Sequence, residues 1–289
     1  MGLGPSELIL NPDNSIYHLD LHPEDIASTV ITVGDPDRVS AISKYFDFVE
    51  LKKGKREFHT HTGRLNRKRL TVISTGIGTD NVDIVFNELD ALVNIDFKNK
   101  RIKQKKTVLD IIRLGTSGAI QPEIPIDSFL MSEYAMGFDG LLHFYKSRDI
   151  LNTDVAQAFV DHSDWSIEKS MPYVVSYDEL LGKTFDTNRI RFGMTATNSG
   201  FYGPQGRELR LQLQDRELKT KLASFSYGGM KITNLEMETS GIYGLAKLLG
   251  HRAVSLNCIL ANRATGEFSK NPEKSVDDLI RYALERLTA

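Results

Sequence analysis

The most constraining feature of the chain is an apolar, β-branched run at Thr107–Ile112 that leads directly into Arg113-Leu-Gly-Thr-Ser-Gly-Ala-Ile120. Such a run is typical of a strand buried on both faces of a parallel sheet. Open α/β sheets bind ligands at the carboxyl ends of their strands. Glycines let the backbone N–H groups approach an anion closely, and Arg113 adds a cation. From these residues alone, an anion-binding loop and an ordinary strand exit are equally favoured.

A second apolar run, Thr29–Val33, ends in Gly34-Asp-Pro-Asp-Arg38. Pro36 suits the first turn of a helix and Asp35 suits its N-cap, so a helix is predicted over Pro36–Tyr45. A cation such as Arg38 is unfavourable in the first turn of a helix unless an anion lies nearby. This segment therefore also favours a phosphate or carboxylate site.

Hydrophobic periodicity predicts an alternation of strands and helices along the rest of the chain. Strands are predicted at Phe48–Leu51, Glu57–Thr62, Arg69–Thr75, Phe129–Tyr134, Arg191–Asn198, Lys231–Asn234 and Ala253–Leu260, with a hairpin through Gly63. Helices are predicted at Asp80–Val93, Asp149–His162, Thr239–Leu249 and Ser275–Leu287. The pattern predicts one α/β domain over residues 29–289. Residues 1–28 are polar and are expected to form an arm outside the core.

The overall composition excludes several function classes. The net charge of −2 gives no reason to expect a nucleic acid or an anionic membrane as partner. The basic segment Lys98–Lys106 lacks interleaved aromatic residues, so a solvated connection is favoured over a nucleic-acid patch. The single cysteine, Cys258, is expected to be a buried, inert thiol. No signal-peptide pattern and no apolar run of about 20 residues is present, so a cytoplasmic protein is expected.

Two further segments carry groups that suit a nucleoside. The loop Ser199–Arg207 combines aromatic, Gln and Arg side chains, which can stack on and hydrogen-bond to a planar heterocycle. Its aromatic residues could equally cap the core. The segment Leu235-Glu-Met-Glu238 could hold a diol through its carboxylates, or its acids could favour the start of the following helix.

Six segments taken together resemble the nucleoside phosphorylase family of the trimeric or hexameric type. They are GDPDR (34–38), STGIG (74–78), RLGTSGAIQ (113–121), FYGPQGR (201–207), LEMET (235–239) and the strand end at Asn262-Arg263. The resemblance implies a single α/β domain with a central, mixed, partly closed β-sheet flanked by helices. It also implies a pentosyltransferase that reversibly splits a nucleoside with phosphate, as in nucleoside salvage and catabolism.

The same resemblance implies a role for each matching residue. The residues implied to bind phosphate are Gly34, Arg38, Arg56, Arg113 and Thr116. Those implied to bind ribose are His18, Thr116, Glu236, Met237 and Glu238. Those implied to bind the base are Phe201, Gln205, Arg207, Ser117, Gly118 and Arg263. Catalysis would depend on Arg113, Gln205, Arg207 and Glu238. His18 and Arg56 would serve a neighbouring subunit, which implies a homo-oligomer, either a dimer or a hexamer. Phosphate would be a co-substrate and no organic cofactor is implied, although Glu57 and Ser74 are candidates for holding a monovalent cation.

The end of the last predicted strand indicates which class of base the site would prefer. Purine-cleaving members of the family carry an Asp there, whereas this chain has Asn262-Arg263, so a pyrimidine nucleoside such as uridine is favoured. Leu260-Ala261 departs from the family pattern and could reshape the base pocket. The alternatives are a purine or broad-specificity phosphorylase, a hydrolytic nucleosidase of the same fold, and a non-catalytic nucleoside-binding protein.

Overall fold

A computed structural model describes residues 2–289 of the chain. The strands are β1 (Thr29–Val33), β2 (Phe48–Lys55), β3 (Phe58–Leu65), β4 (Lys68–Ser74), β5 (Ile95–Asp96), β6 (Arg101–Ile102), β7 (Asp110–Ala119), β8 (Phe129–Gly137), β9 (Tyr173–Ser176), β10 (Ile190–Thr197), β11 (Ser226–Tyr227), β12 (Met230–Glu236), β13 (Arg252–Asn262) and β14 (Glu267–Phe268). The helices are α1 (Pro36–Ser43), α2 (Thr79–Asn94), α3 (Thr153–Ser163), α4 (Glu179–Gly182), α5 (Leu218–Ser224), α6 (Thr239–Leu249) and α7 (Pro272–Thr288).

One large mixed sheet organises the molecule. Its strand order is β11-β12-β10-β8-β13-β7-β1-β4-β3-β2, with β14 beside β13 and β9 beside β8. The end of β12 also pairs with the end of β7, where Asn234 lies opposite Ala119 and Leu235 opposite Gly118. This pairing closes β7, β13, β8, β10 and β12 into a ring. The prediction of an α/β fold with a mixed, partly closed sheet flanked by helices is therefore confirmed.

Strand β1 is buried on both faces because helices cover both sides of the sheet. All five of its residues are buried. Val30 packs in a cluster with residues of α2 and α6, whereas Ile31 packs in a second cluster with residues of α1 and α7. Successive strand residues point to opposite faces, so a continuous β-branched run fills both clusters.

The prediction that Gly115–Gly118 forms an exit loop is wrong. These residues lie within β7, which pairs with β13 as far as Ala119 opposite Asn262. Their backbone groups pair with β13 along one edge, whereas along the other edge β1 pairs only as far as Arg113 and β12 pairs only at Gly118 and Ala119. This stretch therefore reaches the cavity as the end of a strand, through Thr116, Ser117 and Gly118.

The hairpin between β3 and β4 does not turn at Gly63, as predicted, but at Asn66 and Arg67. Asn66 and Arg67 form the turn with positive φ angles of 48° and 69°. Gly63 lies inside β3, where a Cβ atom would overlap the main-chain oxygen of Phe48. The glycine thus allows the close approach of β2 and does not make the turn.

The N-terminal 28 residues are not excluded from the core, contrary to expectation. Their apolar side chains are buried in the same cluster as α2 and α6, namely Leu8, Ile16, Leu19, Leu21 and Ile26. The basic segment Lys98–Lys106 is exposed over most of its length but contains β6, which pairs with β5. Among residues 2–289, no helix is long and apolar enough to cross a membrane.

Candidate active site

A cavity of about 820 Å³ lies at the carboxyl ends of β1, β4, β7, β10, β12 and β13. Its volume falls within the range of small-ligand pockets. The predicted site residues that line it are Gly34, Arg38, Glu57, Arg113, Thr116, Ser117, Gly118, Phe201, Gln205, Arg207, Glu236, Met237 and Glu238. The fold thus brings together residues that lie up to two hundred positions apart in the chain.

Four predicted residues do not line this cavity. His18 contacts Glu88 through its Nδ1 atom at 2.6 Å, and Arg56 is exposed at the β2–β3 turn with φ +56°. Ser74 is buried, and its hydroxyl donates to the main-chain oxygen of Glu57. The binding of a monovalent cation by Glu57 and Ser74 stays a prediction. Arg263 does not line the cavity but contacts the main-chain oxygen of Gln205, which does.

Arg113 is the centre of the site's buried charges. Its Nη2 atom donates to Oε2 of Glu238 at 2.6 Å and lies 3.3 Å from Oε2 of Glu236. Its Nη1 atom donates to Oδ1 of Asn257 at 2.8 Å. Burial opposes the charge on Arg113, which is only 5% exposed, but Glu236 and Glu238 outweigh burial and raise its pKa. Arg113 is therefore a permanent cation that is paired with the site's own acids.

Gly115 makes this position of Arg113 possible. The two residues lie two apart on β7 and so share a face of the sheet. The guanidinium folds back over Gly115, where a Cβ atom would overlap Nη1. Gly115 was predicted to lie in a loop, so this role was not predicted, although the Arg-x-Gly spacing on a strand was the available signal.

Glu236 and Glu238 occupy different environments although they are two residues apart. Oε2 of Glu236 accepts hydrogen bonds from the main-chain N–H groups of Glu238 and Thr239, at 2.9 and 2.8 Å, and therefore caps α6. Its Oε1 accepts from the Thr197 hydroxyl at 2.6 Å. Burial raises the pKa of Glu236, and Arg113 partly opposes this increase. The interpretation that an acid of this segment favours the start of the following helix therefore holds for Glu236.

Glu238 is held by one contact on each of its oxygens. Oε1 accepts the main-chain N–H of Gly78 at 2.9 Å, and Oε2 accepts from Arg113. Because a carboxylate can accept about four hydrogen bonds, Glu238 retains acceptor capacity on the cavity side. It is the acid of this segment that remains available to a ligand.

Arg38 contrasts with Arg113 because no described carboxylate lies within ion-pair distance of it. Its Nη1 atom donates only to the main-chain oxygen of Leu114, at 3.3 Å. Burial lowers the pKa of Arg38, the charge of Asp35 opposes this decrease, and Arg113 adds to it. A half-buried cation that repels a second cation would be stabilised by an anion in the cavity.

The opposite end of the cavity carries a planar group of side chains. Nη1 of Arg207 donates to Oε1 of Gln205 at 2.5 Å, and the guanidinium lies 3.9 Å from the ring centroid of Phe201. Nη1 of Arg263 donates to the main-chain oxygen of Gln205 at 2.7 Å. Burial lowers the pKa of Arg207. Burial also lowers the pKa of Arg263 to about 10, and the positive charge of Arg207 contributes to this decrease. This end therefore has two cations without a paired acid.

An apolar wall completes this end. Leu260 and Ala261, at the end of β13, and Phe268, on β14, line the cavity beside the Gln205 group. Phe268 was not predicted. It is 71% exposed and belongs to a two-residue strand, so no periodicity in the sequence marks it.

Comparisons with known proteins identify the family. Residues 28–289 match the family model described as the phosphorylase superfamily. A uridine phosphorylase of Thermococcus kodakarensis is 30% identical over 89% of this chain and 81% of the relative. A DeoD-type purine nucleoside phosphorylase of Bacillus velezensis is 26% identical over 94% of this chain and 99% of the relative. A solved Trypanosoma brucei nucleoside phosphorylase with uridine phosphorylase activity superposes with a TM-score of 0.86 at 27% identity, covering 97% of this chain and 99% of that one.

The chain therefore belongs to the phosphorylase superfamily. Its activity is that of a nucleoside phosphorylase, which makes it a pentosyltransferase.

Proposed function

We propose that the enzyme reversibly converts uridine and phosphate into uracil and ribose 1-phosphate. The observation that carries the proposal is the Gln205–Arg207 pair, which lines the same cavity as Arg38 and Glu238. The similarity to the Thermococcus kodakarensis and Trypanosoma brucei proteins supports uridine, whereas the DeoD-type relative supports only the wider class.

The phosphate would lie between Gly34, Arg38 and Thr116. The unpaired charge of Arg38 supports this assignment, because a phosphate would relieve its repulsion from Arg113. Arg113 would add its charge from behind and hold Glu238 at the same time. Phosphate bound beneath the sugar carbon is both the nucleophile and a stabilising negative charge.

Glu238 would accept hydrogen bonds from the ribose hydroxyls, with Met237 against the sugar. Its two fixed contacts, to Gly78 and Arg113, support a preorganised acceptor. As the glycosidic bond breaks, positive charge develops on the sugar. Phosphate on one side and Glu238 near the hydroxyls would stabilise that charge without any proton transfer to the sugar.

The base would lie against Phe201 and between Gln205 and Arg207, with Ser117 and Gly118 opening the path from the ribose. The amide of Gln205 offers a donor and a remaining acceptor lone pair, which matches the alternating carbonyl and N–H groups of a uracil edge. Negative charge that develops on the leaving uracil would be stabilised by Arg207 and, through Gln205, by Arg263. Cations without acid partners suit a base that leaves as an anion.

The end of β13 supports a pyrimidine over a purine. Asn262, which is followed by Arg263, ends the strand where the family resemblance implies an acid in purine-cleaving members. Its amide nitrogen donates to the main-chain oxygens of Gln121 and Ile124, at 2.9 and 2.8 Å, so the side chain is buried in the wall. No acid from this strand would therefore protonate a purine leaving group.

His18 and Arg56 would complete the site of a neighbouring subunit in a homo-oligomer. Both lie outside the cavity of their own protomer, which supports this role. Subunits carrying Arg56→Ala and subunits carrying Arg38→Ala should each be nearly inactive alone. After dissociation and mixing, hybrid oligomers should regain activity, because one of their sites would contain both arginines. Absence of any regain in verified hybrids would refute a shared site.

The proposed reaction is tested by uracil release from uridine with and without phosphate, alongside thymidine, inosine and adenosine. We expect release to require phosphate or arsenate and uridine to have the highest kcat/KM. Equal rates without phosphate would indicate a nucleosidase, and a higher kcat/KM for inosine or adenosine would indicate a purine or broad-specificity enzyme. Uridine binding without turnover would indicate a non-catalytic binding protein.

A further inference from the structure

A second cavity, of about 340 Å³, lies beside the first halves of β10 and β12. It shares none of its lining residues with the candidate active site, which uses the carboxyl ends of the same strands. The cavity therefore has a separate position on the ring of strands, and phosphorolysis leaves it without a role.

Two β-bulges build this cavity. Ser132 lies opposite Gly193 and Tyr134 lies opposite Met194, so Glu133 is the extra residue of a bulge in β8. Side chains alternate between faces in a regular strand, but a bulge interrupts the alternation and re-aims a side chain. Glu133 and Tyr134 accordingly both line the cavity although they are adjacent in the chain.

The second bulge lies in the neighbouring strand pair. Met194 lies opposite Ile232 and Thr195 opposite Asn234, so Thr233 is the extra residue on β12. Thr233 also lines the cavity, and its hydroxyl donates to the main-chain oxygen of Met194 at 2.9 Å. A Cβ atom at position 193 would overlap the Thr233 side chain, so Gly193 is required for this arrangement.

Two unpartnered oxygen acceptors line the cavity. The half-buried carboxylate of Glu133 makes no hydrogen bond or ion pair with any described side chain, and burial, aided by Asp186, raises its pKa. Gln121 is only 5% exposed. Its Nε2 atom donates to the main-chain oxygens of Ala223 and Ile232, which fixes the amide orientation, while Oε1 accepts no hydrogen bond within residues 2–289.

Aromatic and aliphatic side chains form part of the remaining wall. Tyr134 and Phe192 supply aromatic surface, and Ile124, Met194 and Met230 supply aliphatic surface. The other charges are exposed at the rim: Arg191, and the pair of Lys231 and Glu123 with 3.7 Å between Nζ and Oε1. The polar side chains of this cavity that lack partners are therefore the acceptors of Glu133 and Gln121 and the hydroxyl of Tyr134, which can accept or donate.

We propose that this cavity is a binding site for a small primary ammonium compound with an aromatic or aliphatic body. The ammonium group donates hydrogen bonds to Glu133 and to Oε1 of Gln121. An ammonium carries three donors and no acceptor, which matches the oxygens of Glu133, Gln121 and Tyr134, each of which can accept a hydrogen bond. The body of the ligand packs against Phe192 and Met230, and aromatic faces further favour a cation.

The test is isothermal titration calorimetry of the full-length enzyme with phenethylammonium, using 2-phenylethanol as a neutral probe of the same shape. We expect the ammonium compound to bind and the alcohol to bind at least about tenfold more weakly, because it loses the charge-assisted hydrogen bonds. No binding of the ammonium compound, or equal affinity for both probes, would overturn the proposal.

Variants locate the binding. Glu133→Gln keeps the side-chain shape and removes the charge, and it should weaken phenethylammonium binding at least about tenfold. Glu123→Gln removes an acid of the exposed rim and should leave the affinity within about twofold. Both variants should retain wild-type phosphorolysis, which verifies their folding. Unchanged affinity in Glu133→Gln would place the ligand elsewhere and refute the assignment.

A second variant covers the case in which Glu133→Gln fails to fold. Phe192→Ala alters an exposed side chain of the same cavity and removes apolar contact with the ligand body. It should weaken binding of phenethylammonium and leave phosphorolysis unchanged. Unchanged affinity in this variant would likewise refute the site.

Discussion

Arg113 and Glu238 form an ion pair with 2.6 Å between Nη2 and Oε2, in which each side chain is less than 10% exposed. This pair joins two parts of the proposed reaction. The same guanidinium that adds positive charge near the phosphate also orients the carboxylate proposed to hold the ribose. The phosphate and ribose subsites are therefore expected to respond together to changes at either residue.

Replacing Arg113 by Met should be strongly destabilising. It leaves Glu236 and Glu238 buried without their cation, and breaking a buried pair in this way typically costs about 3–5 kcal/mol. The additional change Glu238→Gln should restore part of this loss, with a coupling of about 1–3 kcal/mol. Chemical denaturation of the two single variants and the double variant measures the coupling. Additive losses would show that the pair does not act as a unit.

Gly115→Ala should impair catalysis through Arg113. The new methyl group would occupy the space of Nη1, so the guanidinium must move away from Glu238. We expect a loss of about tenfold or more in kcat/KM, since small displacements of positioning groups have large effects. The control is the same change in an Arg113→Met background. If Gly115→Ala lowers kcat/KM equally in both backgrounds, the effect does not pass through Arg113.

Arg263→Met should affect the base more than the phosphate. The variant removes the hydrogen bond to the main-chain oxygen of Gln205 and one unpaired cation. Removing a charged hydrogen bond costs about 1.5–3 kcal/mol, so kcat/KM for uridine should fall at least about tenfold. The KM for phosphate should change little. Lys219→Met is the matched control, because it removes a nearby cation whose ammonium donates one hydrogen bond, to the main-chain oxygen of Arg263. An equal rise in both KM values would contradict the assignment.

Cys258 should resist thiol reagents in the folded enzyme. The side chain is fully buried in β13, and burial raises the pKa of its thiol to about 12. Both effects suppress the reactive thiolate. Labelling with a chromogenic disulfide reagent should be slow under native conditions and complete in denaturant. Rapid native labelling would show that β13 opens locally.

The order of the elements could be predicted because the local patterns are strong. Helix α6 has the predicted bounds, Thr239–Leu249, and ends at Gly250, whose φ of +80° suits a glycine C-cap. The β-branched run at Thr29–Val33 is the strand predicted there. In both cases the propensity, the periodicity and the end signals agree.

The role of Gly115–Gly118 could not be predicted because it depends on distant strands. Glycines usually mark turns, but here β12 and β13 supply pairing partners that lie far along the chain, and β7 therefore continues. Likewise, the ion pairs of Arg113 require the closure of the ring, which no local pattern encodes. The family resemblance named most of the residues that meet in the cavity but not which of them pair with each other.

The contact between α1 and α7 should make stability depend on pH in the acid range. Asp277 accepts hydrogen bonds from Lys44 at 2.7 Å, from Tyr45 at 2.6 Å and from Arg281 at 2.8 Å. Burial of Asp277 opposes its ionisation, but these hydrogen bonds outweigh burial and lower its pKa from 3.8 to about 2. A carboxyl group with a lowered pKa in the folded state stabilises that state above its unfolded pKa. The stabilisation should therefore be complete above pH 3.8 and be lost as the pH falls towards 2.

Asp277→Asn isolates this contribution. Because the group is partly exposed and screened by solvent, we expect the variant to lose about 1 kcal/mol of unfolding free energy at neutral pH. The difference from the wild type should shrink as the pH falls below 3.8, because the wild-type carboxyl is then protonated. Asp278→Asn is the control, since the carboxylate of Asp278 contacts only the exposed Lys274. Denaturant titrations at several pH values measure both variants, and a constant difference for Asp277→Asn down to pH 2 would contradict the assigned shift.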